Sequence, residues 1–212
     1  MRLDIKDIII DRDEVLKFLG YGKRKQPPII LKKIDEEIEK SKELFDTQVF
    51  LKHFKIEKIK DVEVSFGDFN IKSNYVAREL ENSSSVYIAL YSIGDYIEDR
   101  INEYSSSTEM IRAMILDKIG VVALDYINHK IKEEINKKIN PMNISAQLYP
   151  SQKDFHISNQ VILLNAFREE NTTITISKHF QMYPIKTVVV LFGVGKDKDK
   201  YSMCDRCENK CY

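Results

Sequence analysis

All three cysteines of this 212-residue chain, Cys204, Cys207 and Cys211, fall within its last nine residues. Two thiolates three positions apart can chelate one metal ion through a turn, and a third soon after adds another ligand. Zinc needs a fourth ligand, for which His156, His179 or a carboxylate brought in by the fold is a candidate. A [4Fe–4S] cluster on the same thiolates would instead keep one iron open. The plain alternative is three reduced, unligated thiols. An odd number packed this closely argues against a secreted disulfide framework.

The four histidines, His53, His129, His156 and His179, share no H-x-H or H-E-x-x-H spacing. No catalytic triad, phosphate loop or dinucleotide fingerprint is present, and Gly193-x-Gly195, without a following helix, reads as a turn. Asp125 stands four residues before His129, the spacing of an exposed ion pair on a helix. Tyr201 sits in a Lys-Asp-Lys-Asp-Lys segment of the kind that is usually a solvated loop.

The chain that must position these groups is 43% hydrophobic and 31% charged, with Lys+Arg and Asp+Glu both 33. That composition supports a packed core and gives no electrostatic reason to expect nucleic acid or an anionic membrane as partner. The opening MRLDIKDIIIDRDE holds only three consecutive apolar residues between charges and is no signal peptide. The apolar run from Val188 to Phe192 is far below the roughly 20 residues of a membrane helix. The expectation is a soluble, cytoplasmic protein.

Along the chain, Asp13 to Leu19 reads as a short helix that Gly20 terminates. Pro27 and Pro28 open a second one, with Ile30, Ile34, Ile38 and Phe45 as its apolar stripe. Val62, Val64 and Phe66, then Gly67-Asp68, then Phe69 and Ile71 form a hairpin pattern. Ser73 caps a helix to about Leu80, and Val86 to Tyr91 is a buried strand ending near Gly94. Ser107 or Thr108 caps the longest helix, which runs to about Ile139 before Pro141. Ile111, Ile115, Ile119, Val122 and Tyr126 mark its apolar face, and Gly120 with Ala123 would admit a close neighbouring backbone. Thr172 to Ile176 and Lys186 to Phe192 form a strand pair with Pro184 in the bend. Long helices among hairpins, without strict βαβ alternation, predict an α+β fold: a twisted, mostly antiparallel sheet flanked by helices.

Four stretches in order carry a resemblance. They are IDRDEVLKFLGYGKRKQPP, YIALYSIGDYIEDRI, AMILDKIGVVALDYINHKI and ITISKHFQMYPIKTVVVLFGV. They resemble the opening, the strand–turn–helix, the long central helix and the closing hairpin of the methionine synthase activation domain family in its stand-alone form. The resemblance implies one such domain over residues 1–200, with N-terminal helices within 11–45 packing on its core, and a Cys-rich tail at 201–212.

In that family the domain rescues cobalamin oxidised to Co(II). It binds S-adenosylmethionine, which methylates the cobalt once a flavodoxin-type donor supplies an electron, so the cofactors carry the chemistry and the protein positions them. By this resemblance Asp125 contacts S-adenosylmethionine, Pro150 belongs to the ligand-binding loop, and Tyr201 lines the site. The family's Arg-x-x-Pro-Gly-Tyr pattern is met only at Pro150: Gln147, Ser151 and Gln152 replace arginine, glycine and tyrosine. The first change removes a bidentate donor suited to a carboxylate, and the second puts a Cβ where the family's glycine lets the backbone approach the ligand or adopt positive φ, so weak binding is expected. The chain lacks an Asp-x-His-x-x-Gly cobalamin anchor, so cobalamin would be held by the partner, a corrinoid-binding methyltransferase or methionine synthase. Two alternatives remain open: a zinc or Fe–S protein delivering electrons to a corrinoid protein through Cys204, Cys207 and Cys211, and a non-catalytic assembly partner with a decayed ligand site.

Overall fold

The computed structural model describes residues 7–21 and 26–197. In chain order these form α1 (Arg12–Phe18), α2 (Pro28–Ser41), a 3-10 turn (Lys42–Leu44), β1 (Gln48–Lys60), β2 (Glu63–Phe66), β3 (Phe69–Lys72) and α3 (Asn74–Glu79). Then come β4 (Ser83–Ser92), α4 (Tyr96–Ser105), α5 (Met110–Ile139), β5 (Asn143–Leu148), α6 (Asn159–Asn165), β6 (Thr175–Ile176), β7 (Met182–Tyr183) and β8 (Thr187–Gly195). Six strands make one sheet in the order β3-β2-β1-β4-β8-β5, every pairing antiparallel, and β6 and β7 form a separate ribbon. The α+β expectation holds.

Central strands are apolar on both faces because both faces are covered. On one face Val49, Leu51, Ala89, Tyr91, Val190 and Phe192 pack under α5 through Ile115, Ile119, Ile127, Ile131 and Ile135. On the other, Phe50, Ile88, Leu90, Val189 and Leu191 meet Phe66, Ile71, Val76, Leu163 and Phe167 from the β2–β3 hairpin, α3, α6 and the turn after it. Helix α2 is tied to α5 by Arg112, which reaches Glu36 at 2.6 Å and the buried Glu37 at 2.5 Å.

Several local expectations hold in detail. Ser73 caps α3 through its side chain, Gly20 turns the chain after α1 at φ +79°, and β2 and β3 pair across Gly67. Others need correction. Helix α5 starts at Met110, with the Ser107 hydroxyl accepting from the Glu109 N–H at 3.1 Å, and Ile111 points outward, 49% exposed. Gly120 admits a side chain rather than a backbone: a Cβ there would lie 2.9 Å from the Lys186 stem. The strand at Thr175–Ile176 pairs with Met182–Tyr183, whereas Thr187–Gly195 is a central sheet strand between β4 and β5. Gly193 and Gly195 therefore lie in a strand, not a turn. Their missing side chains make room for Leu80 Cδ2, 2.6 Å from a Cβ built on Gly193, and for the Asn82 carbonyl, 2.5 Å from one on Gly195. Among the described residues no helix is long and apolar enough to cross a membrane.

Candidate functional site

Helix α5 lies across β4, β8 and β5, and its second half brings polar groups to the last residues of β5. Asn128, buried at 4% exposure, would be an unsatisfied amide in an apolar interface were it not for Gln147 on β5, itself 5% exposed. The Gln147 Nε2 donates to the Asn128 Oδ1 at 3.0 Å and also to the Tyr149 hydroxyl oxygen. Pairing buried amides avoids a penalty of about 1–3 kcal/mol per stranded group.

One helical turn before Asn128, Asp125 is 44% exposed and its Oδ2 lies 3.5 Å from His129 Nε2, the i,i+4 pair that the spacing allowed. It also borders the same polar cluster. Burial holds the Tyr91 hydroxyl of β4 well above its ordinary pKa, and Tyr149 and Asp125 are near enough to push it further in the same direction. Tyr149, Gln147 and Asn128 are thus hydrogen-bonded in a row where α5 crosses β5, with Tyr91 and Asp125 within electrostatic range. Asp125 and Tyr149, the residue before Pro150, both lie within electrostatic range of Tyr91; Tyr91 and Asn128 were not singled out by the sequence. Their signal was an aromatic and an amide sitting on otherwise aliphatic stripes.

The loop after β5 is closed on itself. Pro150 is buried, and Ser151 stands at φ +94°, where a residue with a Cβ is strained. The Ser151 N–H donates to the Phe155 carbonyl at 2.7 Å. Gln152 folds back so that its Oε1 accepts from the Tyr149 N–H at 2.9 Å. Lys153, at φ +50°, lays its Nζ 4.8 Å from the centre of the Tyr75 ring. Asp154 then clasps the start of α3, accepting from the Ser73 hydroxyl at 2.8 Å and from the N–H groups of Asn74 at 2.7 Å and Tyr75 at 3.0 Å. The Ser73 hydroxyl first, then those N–H groups, hold this carboxyl below its ordinary pKa although its desolvation works the other way.

A second polar group lies about two turns toward the start of α5. Lys186 Nζ meets Asp117 Oδ1 at 2.5 Å and Lys118 meets Asp117 Oδ2 at 2.9 Å. Burial raises the Asp117 pKa, but the hydrogen bonds from Lys186 and Lys118 outweigh it and leave the carboxyl below its ordinary value. Glu98 of α4 accepts from the N–H groups of Ile185 at 3.3 Å and Lys186 at 2.8 Å, fixing the segment that leads into β8.

Among the described residues no group of three or more His, Cys, Asp or Glu is placed to hold a metal ion. Cys204, Cys207, Cys211 and Tyr201 lie outside the described residues.

Among solved structures, the chain is similar to one described as "Crystal Structure of the MetH Reactivation Domain bound to AdoHcy". The TM-score is 0.66, covering 90% of this chain and 76% of that one, at 8% sequence identity. At so low an identity the likeness establishes the shared fold. No family model matches the sequence, and no curated protein does.

Proposed function

We propose that this protein is an accessory or reactivation factor for a cobalamin-dependent methyltransferase such as methionine synthase. It docks on the partner's corrinoid-bearing module and offers it an S-adenosyl ligand. The observation that carries the reading is the fold likeness to a reactivation domain over 90% of the chain. It gains support from Asp125 and Tyr149, the neighbour of Pro150, both lying within electrostatic range of Tyr91, since the sequence resemblance marks Asp125 and the Pro150 loop as ligand-contacting. Fold alone does not fix function, so the residues at the site must bear the rest.

In this reading Asp125 accepts hydrogen bonds from ribose hydroxyls or an amino group and offsets a sulfonium charge. Pro150 and Tyr201 are the further ligand contacts that the resemblance marks. S-adenosylmethionine supplies the methyl group when bound; the chain positions it and excludes water. Cobalamin stays with the partner. Residues 1–200 act as one unit in the cytoplasm, and Cys204, Cys207 and Cys211 of the tail hold zinc or an Fe–S cluster.

One observation favours a second reading, a non-catalytic assembly partner with a decayed ligand site. Of the residues that replace the arginine and tyrosine of the resembled loop, Gln147 donates its Nε2 to Asn128 and Tyr149, and Gln152 turns its Oε1 back to the Tyr149 N–H. A binding titration separates both readings from an unrelated role. The purified protein should bind a cobalamin-loaded methyltransferase module and not free cobalamin. Tight binding of free cobalamin, or no binding of the loaded module, contradicts the proposal. Calorimetry with S-adenosylmethionine then divides the two readings, since only the first expects heat of binding.

A further inference from the structure

We infer that the cavity between the β2–β3 hairpin and the end of α6 is a binding site for a free α-amino acid with an aromatic side chain. The site is separate from the one described above: β3 and β5 are opposite edges of the sheet, and no residue of the Pro150 loop lines this cavity.

The cavity holds about 500 Å³, within the range of about 300–1,000 Å³ usual for small-molecule sites. Its apolar part is built from rings. Phe54 of β1 and Phe69 of β3 stand edge to face with centroids 5.4 Å apart, and both lean on the buried Phe66, at 6.0 and 5.9 Å. Gly67 makes this arrangement possible. It turns the hairpin at φ +51°, and a Cβ on it would lie 2.9 Å from Phe54 Cδ1. Ile162 of α6 and Ala166, the cap of that helix, line the cavity from the other side of the chain. A ligand ring entering here extends the edge-to-face set.

The polar lining carries both signs of charge. Asp68 sits on the hairpin turn, and Arg168 and Glu169 follow α6; all three are exposed. Among the described residues none of the three side chains has an ion pair or a hydrogen bond. Lys52 differs, since its Nζ lies 3.5 Å from Glu170 Oε1. Two amides add donors. The Asn70 Oδ1 accepts from the Ser65 hydroxyl at 2.5 Å, which leaves its Nδ2 to donate, and the Asn165 amide has no partner among the described residues. An anionic ligand would meet Asp68 and Glu169, and a cationic one Arg168. An α-amino acid turns one end to each sign: its carboxylate accepts from the Arg168 guanidinium and an asparagine amide, and its ammonium donates to Asp68 or Glu169.

The test is saturation-transfer NMR titration of the full chain with three probes. They are L-phenylalanine, 2-phenylethylamine, which lacks the carboxylate, and 3-phenylpropionate, which lacks the ammonium. The expected result is a dissociation constant below about 1 mM for L-phenylalanine, with the other two at least about tenfold weaker. Arg168→Gln should weaken L-phenylalanine at least about fivefold and leave 2-phenylethylamine within about twofold. Asp68→Asn combined with Glu169→Gln should weaken L-phenylalanine as much and spare 3-phenylpropionate. All three residues are exposed, so these variants should keep the parent's melting temperature. A single-charge probe binding as tightly as L-phenylalanine overturns the inference, as does a variant that weakens all its probes alike or none. Failure of L-phenylalanine to bind at about 10 mM overturns it too, and each of these outcomes leaves the reactivation reading standing.

Discussion

Replacing Ser151 by glycine should stabilise the protein. Ser151 sits at φ +94° at the tip of the loop that follows β5, and its side chain is exposed. A non-glycine residue in this half of φ space costs about 1–2 kcal/mol through the clash of Cβ with its own backbone. Glycine removes that cost but adds freedom to the unfolded chain, which takes back about 0.4–1 kcal/mol. The net gain lies between about 0 and 1.6 kcal/mol, with a middle value of about 0.8 kcal/mol or a rise in Tm of about 2–3 °C for a chain of this size. Ser151→Ala keeps the Cβ and the strain and should leave Tm within about 1 °C of the parent. Thermal unfolding followed by circular dichroism, with urea titrations of the same three proteins, reads the difference. A lower Tm for Ser151→Gly, or an equal gain from Ser151→Ala, would refute the strain argument and with it the view that this position is built for glycine.

The other expectations concern the groups around that loop and the tail. Asn128→Ala should destabilise the fold by about 1–3 kcal/mol in urea titration, because the buried Gln147 amide loses an acceptor; an unchanged midpoint contradicts the paired-amide account. Asp154 has a folded-state pKa below its ordinary 3.8, so its contribution is fully present above that value and is lost as pH falls through the folded-state pKa. Asp154→Asn should therefore be less stable than the parent at pH 7, with the gap closing below about pH 4; a gap independent of pH counts against the clasp. For the tail, protein purified anaerobically should carry zinc or iron by elemental analysis, and Ser at both Cys204 and Cys207 should release it without unfolding the core. Metal-free parent protein contradicts that reading.

Much of the fold was legible because its signals are local. Ser73 as a cap, the glycine turn between β2 and β3, and the aliphatic stripe of α5 each announce themselves within one or two turns of chain. Strand β1 was not read although Phe54 and Ile56 alternate with Lys55 and Glu57; the charges there belong to the half of the strand that runs beyond the helix-covered core. Strand β5, with the small and polar run Asn-Ile-Ser-Ala-Gln, becomes a strand by pairing with β8, a contact about fifty residues away that no local pattern encodes. The same blindness mispaired Thr172–Ile176 with Lys186–Phe192.

At the site, the Asp125–His129 spacing and the replacement of an arginine by Gln147 were both visible in the sequence. What could not be read is which residue of α5 stands over β5. That register decides that Asn128 captures Gln147. Residue types gave the candidates, and packing assigned their partners.

The central claim is that this protein restores a corrinoid enzyme whose cobalamin has oxidised. Its most direct test mixes a methyltransferase module carrying Co(II) cobalamin with S-adenosylmethionine and a reduced flavodoxin-type donor, and follows methylcobalamin formation by absorbance. The account predicts that an equimolar amount of this protein accelerates that step and that Asp125→Ala removes the acceleration. A rate unchanged by the protein, with a module it demonstrably binds, would contradict the claim and leave the assembly-partner reading in its place.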